Sequence, residues 1–259
     1  MIRSCLSLLW LFLIALWGIG WAGRFSTNFV PLSHNKVVRW VVVDDLPTEL
    51  ALHQTVFWEP LDTVSLRKLL RETPLAHDKS VLEIGTGCGL LALCCWQAGA
   101  SHVVATDINP HAISCARQNA ARLDADVEFR LVPSGPRADS GAFSVIGDDE
   151  RFDLIISNPP WEDDTPGEWS DYALYDPNFM LLRSLLDGVK DHLTPGGKLL
   201  LAYGCVEAIE VTQRIAAERG LYVTILDKRN PRELPHVFLP GMVVGVTPDE
   251  IPELSQPVR

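Results

Sequence analysis

Asn158-Pro159-Pro160-Trp161 follows the apolar run Phe152-Asp153-Leu154-Ile155-Ile156-Ser157, and few reactions need an amide, two prolines and an aromatic ring in that order. The chemistry it suits is methyl transfer to a planar nitrogen. In an amide or an exocyclic amino group the lone pair is delocalised, so the nitrogen attacks only when acceptors hold its NH2 group. The Asn158 side-chain oxygen and the Pro159 carbonyl can accept those two protons and let the nitrogen rehybridise. Trp161 offers a flat apolar face for the substrate plane. The prolines fix φ and keep the loop stiff. The expected catalytic set is therefore Asn158, Pro159, Pro160 and Trp161.

A second group of residues concerns the reagent. Ser80-Val81-Leu82-Glu83-Ile84 reads as a short buried strand, and Gly85-Thr86-Gly87-Cys88-Gly89 as a tight loop that opens a helix. A dinucleotide fingerprint would need a further glycine close to Leu90, and none stands there. Glu83 also brings negative charge to the place a pyrophosphate would take. A cationic cofactor suits the loop better, and S-adenosylmethionine carries both a sulfonium and an ammonium group. Asp107, at the end of the next strand, is placed to accept hydrogen bonds from both ribose hydroxyls. Either acid alone reads equally well as ordinary strand-end solvation. Together with the glycines and the Asn-Pro-Pro-Trp loop they read as one site.

These loops need a scaffold, and the chain supplies a regular alternation. Strands are expected at residues 80–84, 102–106 and 127–131, with helices at 90–98 and 110–123 between them. This βαβαβ order implies a parallel sheet with right-handed crossovers, whose ligands bind at the carboxyl ends of the strands. After a polar stretch at 133–150 comes the strand ending in Asn-Pro-Pro-Trp. A helix at 178–193, the turn Thr194-Pro195-Gly196-Gly197 and a strand at 198–202 follow. The last elements are a helix at 206–219 and strands at 222–226 and 242–246. Upstream, 36–43 is a β-branched run that reads as a strand, and 63–71 gives one apolar helical face. Phe57 and Trp58, just before that helix, are candidates for the wall of a substrate pocket.

The segments Val81-Leu82-Glu83-Ile84-Gly85-Thr86-Gly87-Cys88-Gly89, Asp107-Ile108-Asn109-Pro110 and Asp153 through Trp161 together resemble the class I S-adenosylmethionine-dependent methyltransferases of the small-domain family. The resemblance covers about residues 56–202. It implies an α/β, Rossmann-like sheet of seven strands, mostly parallel with the last one antiparallel, and helices on both faces. It further implies that Glu83, Gly85, Thr86, Gly87, Gly89, Asp107, Ile108 and Asn158 bind the cofactor, while Asn158 to Trp161 position the acceptor nitrogen. Val56-Phe57, Leu61-Asp62 and Leu69-Leu70 look like the segment before the cofactor loop in ribosomal RNA guanine N2 methyltransferases and in protein glutamine methyltransferases alike. Two departures stand out. Trp161 replaces the usual Tyr or Phe, and Leu131-Val132-Pro133-Ser134 lacks the acid that often approaches the adenine, leaving Asp139, Asp148 and Asp149 as the nearby carboxylates.

The 259 residues, 47% of them hydrophobic, suffice for one large domain, divided as 24–79 (strand and capping helix) and 80–259 (cofactor-binding domain). A net charge of -11 disfavours a protein that grips long nucleic acids through their phosphates, so a protein glutamine or small-molecule acceptor is preferred over RNA or DNA. Cys5, Cys88, Cys94, Cys95, Cys115 and Cys205 have no metal-like spacing, and no metal is expected. His111, His192 and His236 read as surface or core histidines. Residues 1–23 hold one charge, Arg3, and an apolar run from Leu6 with Trp10, Trp17 and Trp21. Its length is enough for a membrane-spanning helix, read here as an anchor rather than a signal peptide. The catalytic domain would then face the cytoplasm, where S-adenosylmethionine is made. If the segment is an over-extended gene start, the protein is cytoplasmic. A membrane-tethered binding module that keeps the fold without turnover is the reading from another class.

Overall fold

A computed structural model describes residues 36–134 and 140–250 of the chain. The apolar N-terminal segment read as an anchor, and Asp139, lie outside the described residues. Among the described residues no helix is long and apolar enough to cross a membrane.

The chain opens with an antiparallel pair, β1 (Val37–Val41) and β2 (Leu50–His53), followed by α1 (Val64–Glu72). The alternation foreseen in the sequence then appears: β3 (Ser80–Ile84), α2 (Leu90–Gln97), β4 (His102–Asp107), α3 (Pro110–Leu123), β5 (Glu128–Leu131) and β6 (Phe152–Ser157). The carboxyl-terminal half adds α4 (Met180–His192), β7 (Leu193–Cys205), α5 (Val206–Glu218), β8 (Tyr222–Ile225) and β9 (Val237–Thr247). Seven strands form one sheet in the order β5-β4-β3-β6-β7-β9-β8. The strands from β3 to β7 run parallel, and β9 is antiparallel to both its neighbours. This is the α/β Rossmann-like sheet that the resemblance implied.

Strand periodicity divides the core between the two faces. Val81, Val103, Ala105, Leu154 and Ile156 pack with α1, α2, α3 and β2 on one side. Their sequence neighbours Leu82, Val104 and Ile155 pack with α4 and α5 on the other, together with Phe152, which precedes an irregularity in the β6 pairing. Successive side chains of a strand point to opposite faces, so continuous apolar runs such as 154–156 are what a sheet covered on both sides requires. Every residue of α2 from Leu90 to Cys95 is buried, which explains why this helix shows no amphipathic stripe.

Several elements differ from the sequence expectation: β1 is shorter than 36–43, and β9, expected at 242–246, runs from Val237 to Thr247. Helix α4 begins two residues later than 178, because Asn178 and Phe179 adopt positive φ. Asp176 then accepts from the backbone N–H groups of Leu181 and Leu182 and caps the helix by side chain. Strand β7 starts at Leu193, and the turn at 194–197 is an irregularity within it, where pairing jumps from Phe152↔Leu193 to Leu154↔Lys198. Strand β2 was not foreseen. All four of its residues are buried, and its Ala51 backbone is held on both sides by the Asn119 amide, a contact made across 68 residues of chain.

Candidate active site

The sheet register brings the two chemistry-bearing loops together. Strands β3 and β6 are neighbours, with Ile84 opposite Ser157, so Gly85 and Asn158 leave the sheet side by side. The chain winds from β3 outward to β5 and from β6 outward to β8, which makes this the switch point where such sheets bind ligands. A cavity of about 770 Å³ opens there, within the range of small-molecule sites.

Its floor is the glycine loop. Gly85 and Gly87 have φ of 79° and 56°, and a side chain added at either would meet nothing within 4 Å, so bare backbone faces open space. Thr86, Cys88 and Ile108 also line the cavity. Gly89 does not: at φ 88° it precedes α2, and its Cα sits so close to α3 that a Cβ would approach Ala116 at 3.1 Å. Its place in the fold is helix packing.

Glu83 and Asp107 both line the cavity. Glu83 Oε2 accepts from the Thr86 hydroxyl at 2.5 Å and from the Ala92 backbone N–H at 3.0 Å, inside the first turn of α2. Burial pushes its pKa up to about 8, against those two hydrogen bonds. Asp107 Oδ2 accepts from Gly87 N–H and Oδ1 from Asn109 N–H, each at 2.8 Å. Its pKa is raised to about 6, again by burial. Carboxylates held against their ionised form create a site that gains from an entering cation.

Asn158, Pro159 and Pro160 line the opposite wall. Asn158 Nδ2 donates to Asp62 Oδ2 at 3.5 Å, while its Oδ1 is buried with no hydrogen-bond partner among the described residues. A buried acceptor left bare in this way is costly unless a ligand group satisfies it. Trp161 departs from expectation. It is not among the lining residues, and its ring lies against Gly204, where an added Cβ would be 2.5 Å from Cη2. The stacking face expected of Trp161 falls instead to rings that do line the cavity: Phe57 and Trp58 before α1, and Trp169, Tyr172 and Tyr175 between β6 and α4. Trp169 and Tyr172 pack on each other with centroids 5.7 Å apart. Phe57 and Trp58 had been singled out in the sequence. The later trio sits in a segment without periodicity, and three aromatics in an otherwise acidic loop were the available signal.

Asp148 and Asp149 do not reach the cavity; Val132, Ser140, Gly141 and Ala142 occupy that side. His111, His192 and His236 are absent from its lining, and among the described residues no cluster of His, Cys, Asp or Glu could hold a metal ion. The five described cysteines are free and buried.

A switch-point cavity with a glycine floor, acids at the ends of its first two strands and an Asn-Pro-Pro wall defines a Rossmann-like methyltransferase site. The chain belongs to the methyltransferase small domain family, whose description it matches over residues 48–212. It is 32% identical over 168 residues to a release factor glutamine methyltransferase of Cereibacter sphaeroides, covering 60% of this chain and 57% of that protein. It is 36% identical over 117 residues to a tRNA1(Val) (adenine(37)-N6)-methyltransferase of Flavobacteriaceae bacterium (strain 3519-10), covering 45% of this chain and 46% of that protein. The chain thus spans about half the length of these curated relatives. A T. Thermophilus 16S rRNA N2 methyltransferase, solved with AdoMet and guanosine, shares the fold at a TM-score of 0.54 and 15% identity, covering 81% of this chain and 50% of that one.

Proposed function

We propose that the protein is an S-adenosylmethionine-dependent N-methyltransferase that acts on a planar amide or amino nitrogen. The observation that carries this reading is the Asn158 Oδ1, buried and unsatisfied at the wall of the cavity, beside the glycine floor. The donor set fits the cofactor. Open backbone at Gly85 and Gly87 allows close approach, Asp107 offers acceptors for ribose hydroxyls, and Glu83 supplies negative charge for a cation. Bound there, S-adenosylmethionine supplies an electrophilic methyl group on sulfonium.

The chain's own part is positioning. Asn158 Oδ1 accepts one proton of the acceptor NH2 group and the Pro159 carbonyl the other, which withdraws nitrogen from conjugation. Pro159 and Pro160 are both buried and hold that carbonyl in place. No strong base is needed, since the nitrogen sheds its proton during or after attack. Aromatic side chains around the cavity give the acceptor plane its apolar walls and exclude water.

Charge favours a protein amide or small molecule as the acceptor over a nucleic acid. Glu162, Asp163, Asp164, Glu168, Asp171 and Asp176 all fall in the loop that supplies Trp169 and Tyr172. None of these acids forms an ion pair among the described residues. Phosphates would be repelled along that approach. We further propose that residues 6–23 tether the domain to a membrane with its cavity on the cytoplasmic side, which cell fractionation with and without that segment tests.

Asn158→Ala tests the main reading. Label transfer from methyl-tritiated S-adenosylmethionine into fractionated lysate should fall by about two orders of magnitude or more, while calorimetry shows cofactor affinity nearly intact. Equal loss of both would refute the division of roles, and label in nucleic acid alone would overturn the acceptor preference.

A further inference from the structure

We propose that Asp62 is a positioning residue that fixes which way the Asn158 amide faces. The inference rests on the methyltransferase reading of the cavity and extends it to a residue outside the cavity wall. Asp62 is 5% exposed and does not line the cavity, whereas Asn158 does. The Asp62 carboxylate therefore reaches the acceptor through Asn158.

The chemistry of the pair dictates the orientation. An ionised carboxylate only accepts hydrogen bonds, and an amide has one accepting and one donating end. Asn158 turns Nδ2 toward Asp62 Oδ2 and leaves Oδ1 bare. Rotated by half a turn, the amide would set oxygen against carboxylate and present NH2 to the NH2 group of an acceptor. Two donors facing each other would then replace the donor–acceptor contact that the reaction needs.

Asp62 is itself seated firmly. Gly241 N–H donates to the Leu61 carbonyl at 3.2 Å, and the Ser65 hydroxyl donates to the Gly241 carbonyl at 2.6 Å. A Cβ at residue 241 would lie 2.3 Å from the Asp62 carbonyl oxygen, so β9 passes this segment at a distance only glycine permits. The charged groups around Asp62 leave it without a cationic partner of its own. Arg67, on α1, is bound by Asp45 and the Pro60 carbonyl; Arg229 is bound by Asp227 and the carbonyls of Pro240 and Gly241. Glu59 raises its pKa and the Asn158 amide lowers it, while burial, the largest effect, brings it to about 6. Glu83, Asp107 and Asp176 line the neighbouring cavity walls, each with its pKa raised by burial. Above its own pKa the Asp62 carboxylate accepts only; below it the protonated group also donates and the amide loses its preference.

The side-chain amide signals of Asn158, followed by nitrogen-proton NMR in the cofactor-free full chain, should titrate with a midpoint near 6. In Asp62→Asn that titration should vanish without any loss of thermal stability. At saturating cofactor, label transfer into fractionated lysate protein should drop about 10- to 100-fold in Asp62→Asn. Cofactor affinity should stay within about twofold, because this residue acts on the acceptor side. Combined with Asn158→Ala, the change should cause no added loss. Signals of Asn158 that ignore pH, wild-type turnover in Asp62→Asn, or a further loss on the Asn158→Ala background would each overturn the proposal. Absence of any transfer by the wild type would refute the methyltransferase reading instead, and the NMR titration would still decide the orientation.

Discussion

Replacing Glu83 by glutamine should stabilise the cofactor-free protein and weaken its cofactor binding. The carboxyl sits at 2% exposure with its pKa raised from 4.5 to about 8, chiefly by burial. At pH 7 the unfolded chain carries it ionised while the folded chain must protonate it. At pH 7, about 2.5 units above the unfolded pKa, that difference amounts to about 3 kcal/mol against folding, at about 1.4 kcal/mol per unit. Glutamine has no charge to neutralise and keeps an oxygen for the Thr86 hydroxyl and the Ala92 N–H. For a domain of this size the gain corresponds to roughly 6–12 °C in the thermal midpoint.

The sign of the pH dependence makes the test specific. A carboxyl whose folded pKa is raised binds more protons in the folded state, so its penalty is absent below 4.5, grows with pH and saturates above about 8. Thermal unfolding of both proteins at pH 5, 7 and 8.5 should show a gap that is small at the lowest pH and widens steadily. Saturating S-adenosylmethionine should narrow or reverse the gap, since only the wild type offers a carboxylate to the cation. A gap independent of pH, or a variant less stable at pH 7, would refute the account of Glu83 as an acid held ready for a positive ligand.

Two further changes separate the roles of neighbouring residues. Asp107→Ala should raise the cofactor dissociation constant by about 10-fold or more, since it removes a charge-assisted hydrogen bond. It should leave turnover at saturation much less affected, and an unchanged dissociation constant in calorimetry would remove the ribose assignment. Gly204→Ala places a Cβ 2.5 Å from both the Phe238 carbonyl and the Trp161 ring. Overpacking there should lower stability by about 1–3 kcal/mol and reduce turnover by moving the Asn-Pro-Pro loop, with cofactor affinity preserved. Unaltered turnover would show that Trp161 does not anchor that loop.

The scaffold was readable because its signals are local. Strand 80–84, the glycine loop and helix 110–123 each carry their periodicity and end signals within or beside their own residues. What escaped depends on contacts distant in sequence. Strand β2 has four residues and no alternation, and its existence rests on Asn119 and α3. Trp161 was placed by the motif, yet its direction was decided by a glycine 43 positions later, at 204. Gly89 looked like a cofactor glycine because it shares a loop with Gly85 and Gly87, and only the closeness of Ala116 assigns it to packing. Membership of the cavity lining is therefore written more locally in the chain than the direction each side chain takes.

Orientation is also where the chemistry is decided. The Asn-Pro-Pro wall would be inert with its amide reversed, and nothing in those residues alone determines the choice. It is made by Asp62, 96 residues earlier in the chain. The same holds for the cofactor side: Glu83 takes part in a helix end through Ala92, yet remains on the cavity lining with its ionisation suppressed. In both places the fold keeps an acid desolvated: Glu83 against the cavity itself, and Asp62 behind Asn158. A sheet that carries its two loops on adjacent strands brings Glu83 and Asn158 to one cavity, with Asp62 held behind Asn158. On the proposed reading, Glu83 serves reagent binding and the Asp62–Asn158 pair serves acceptor activation, two separable sets of residues.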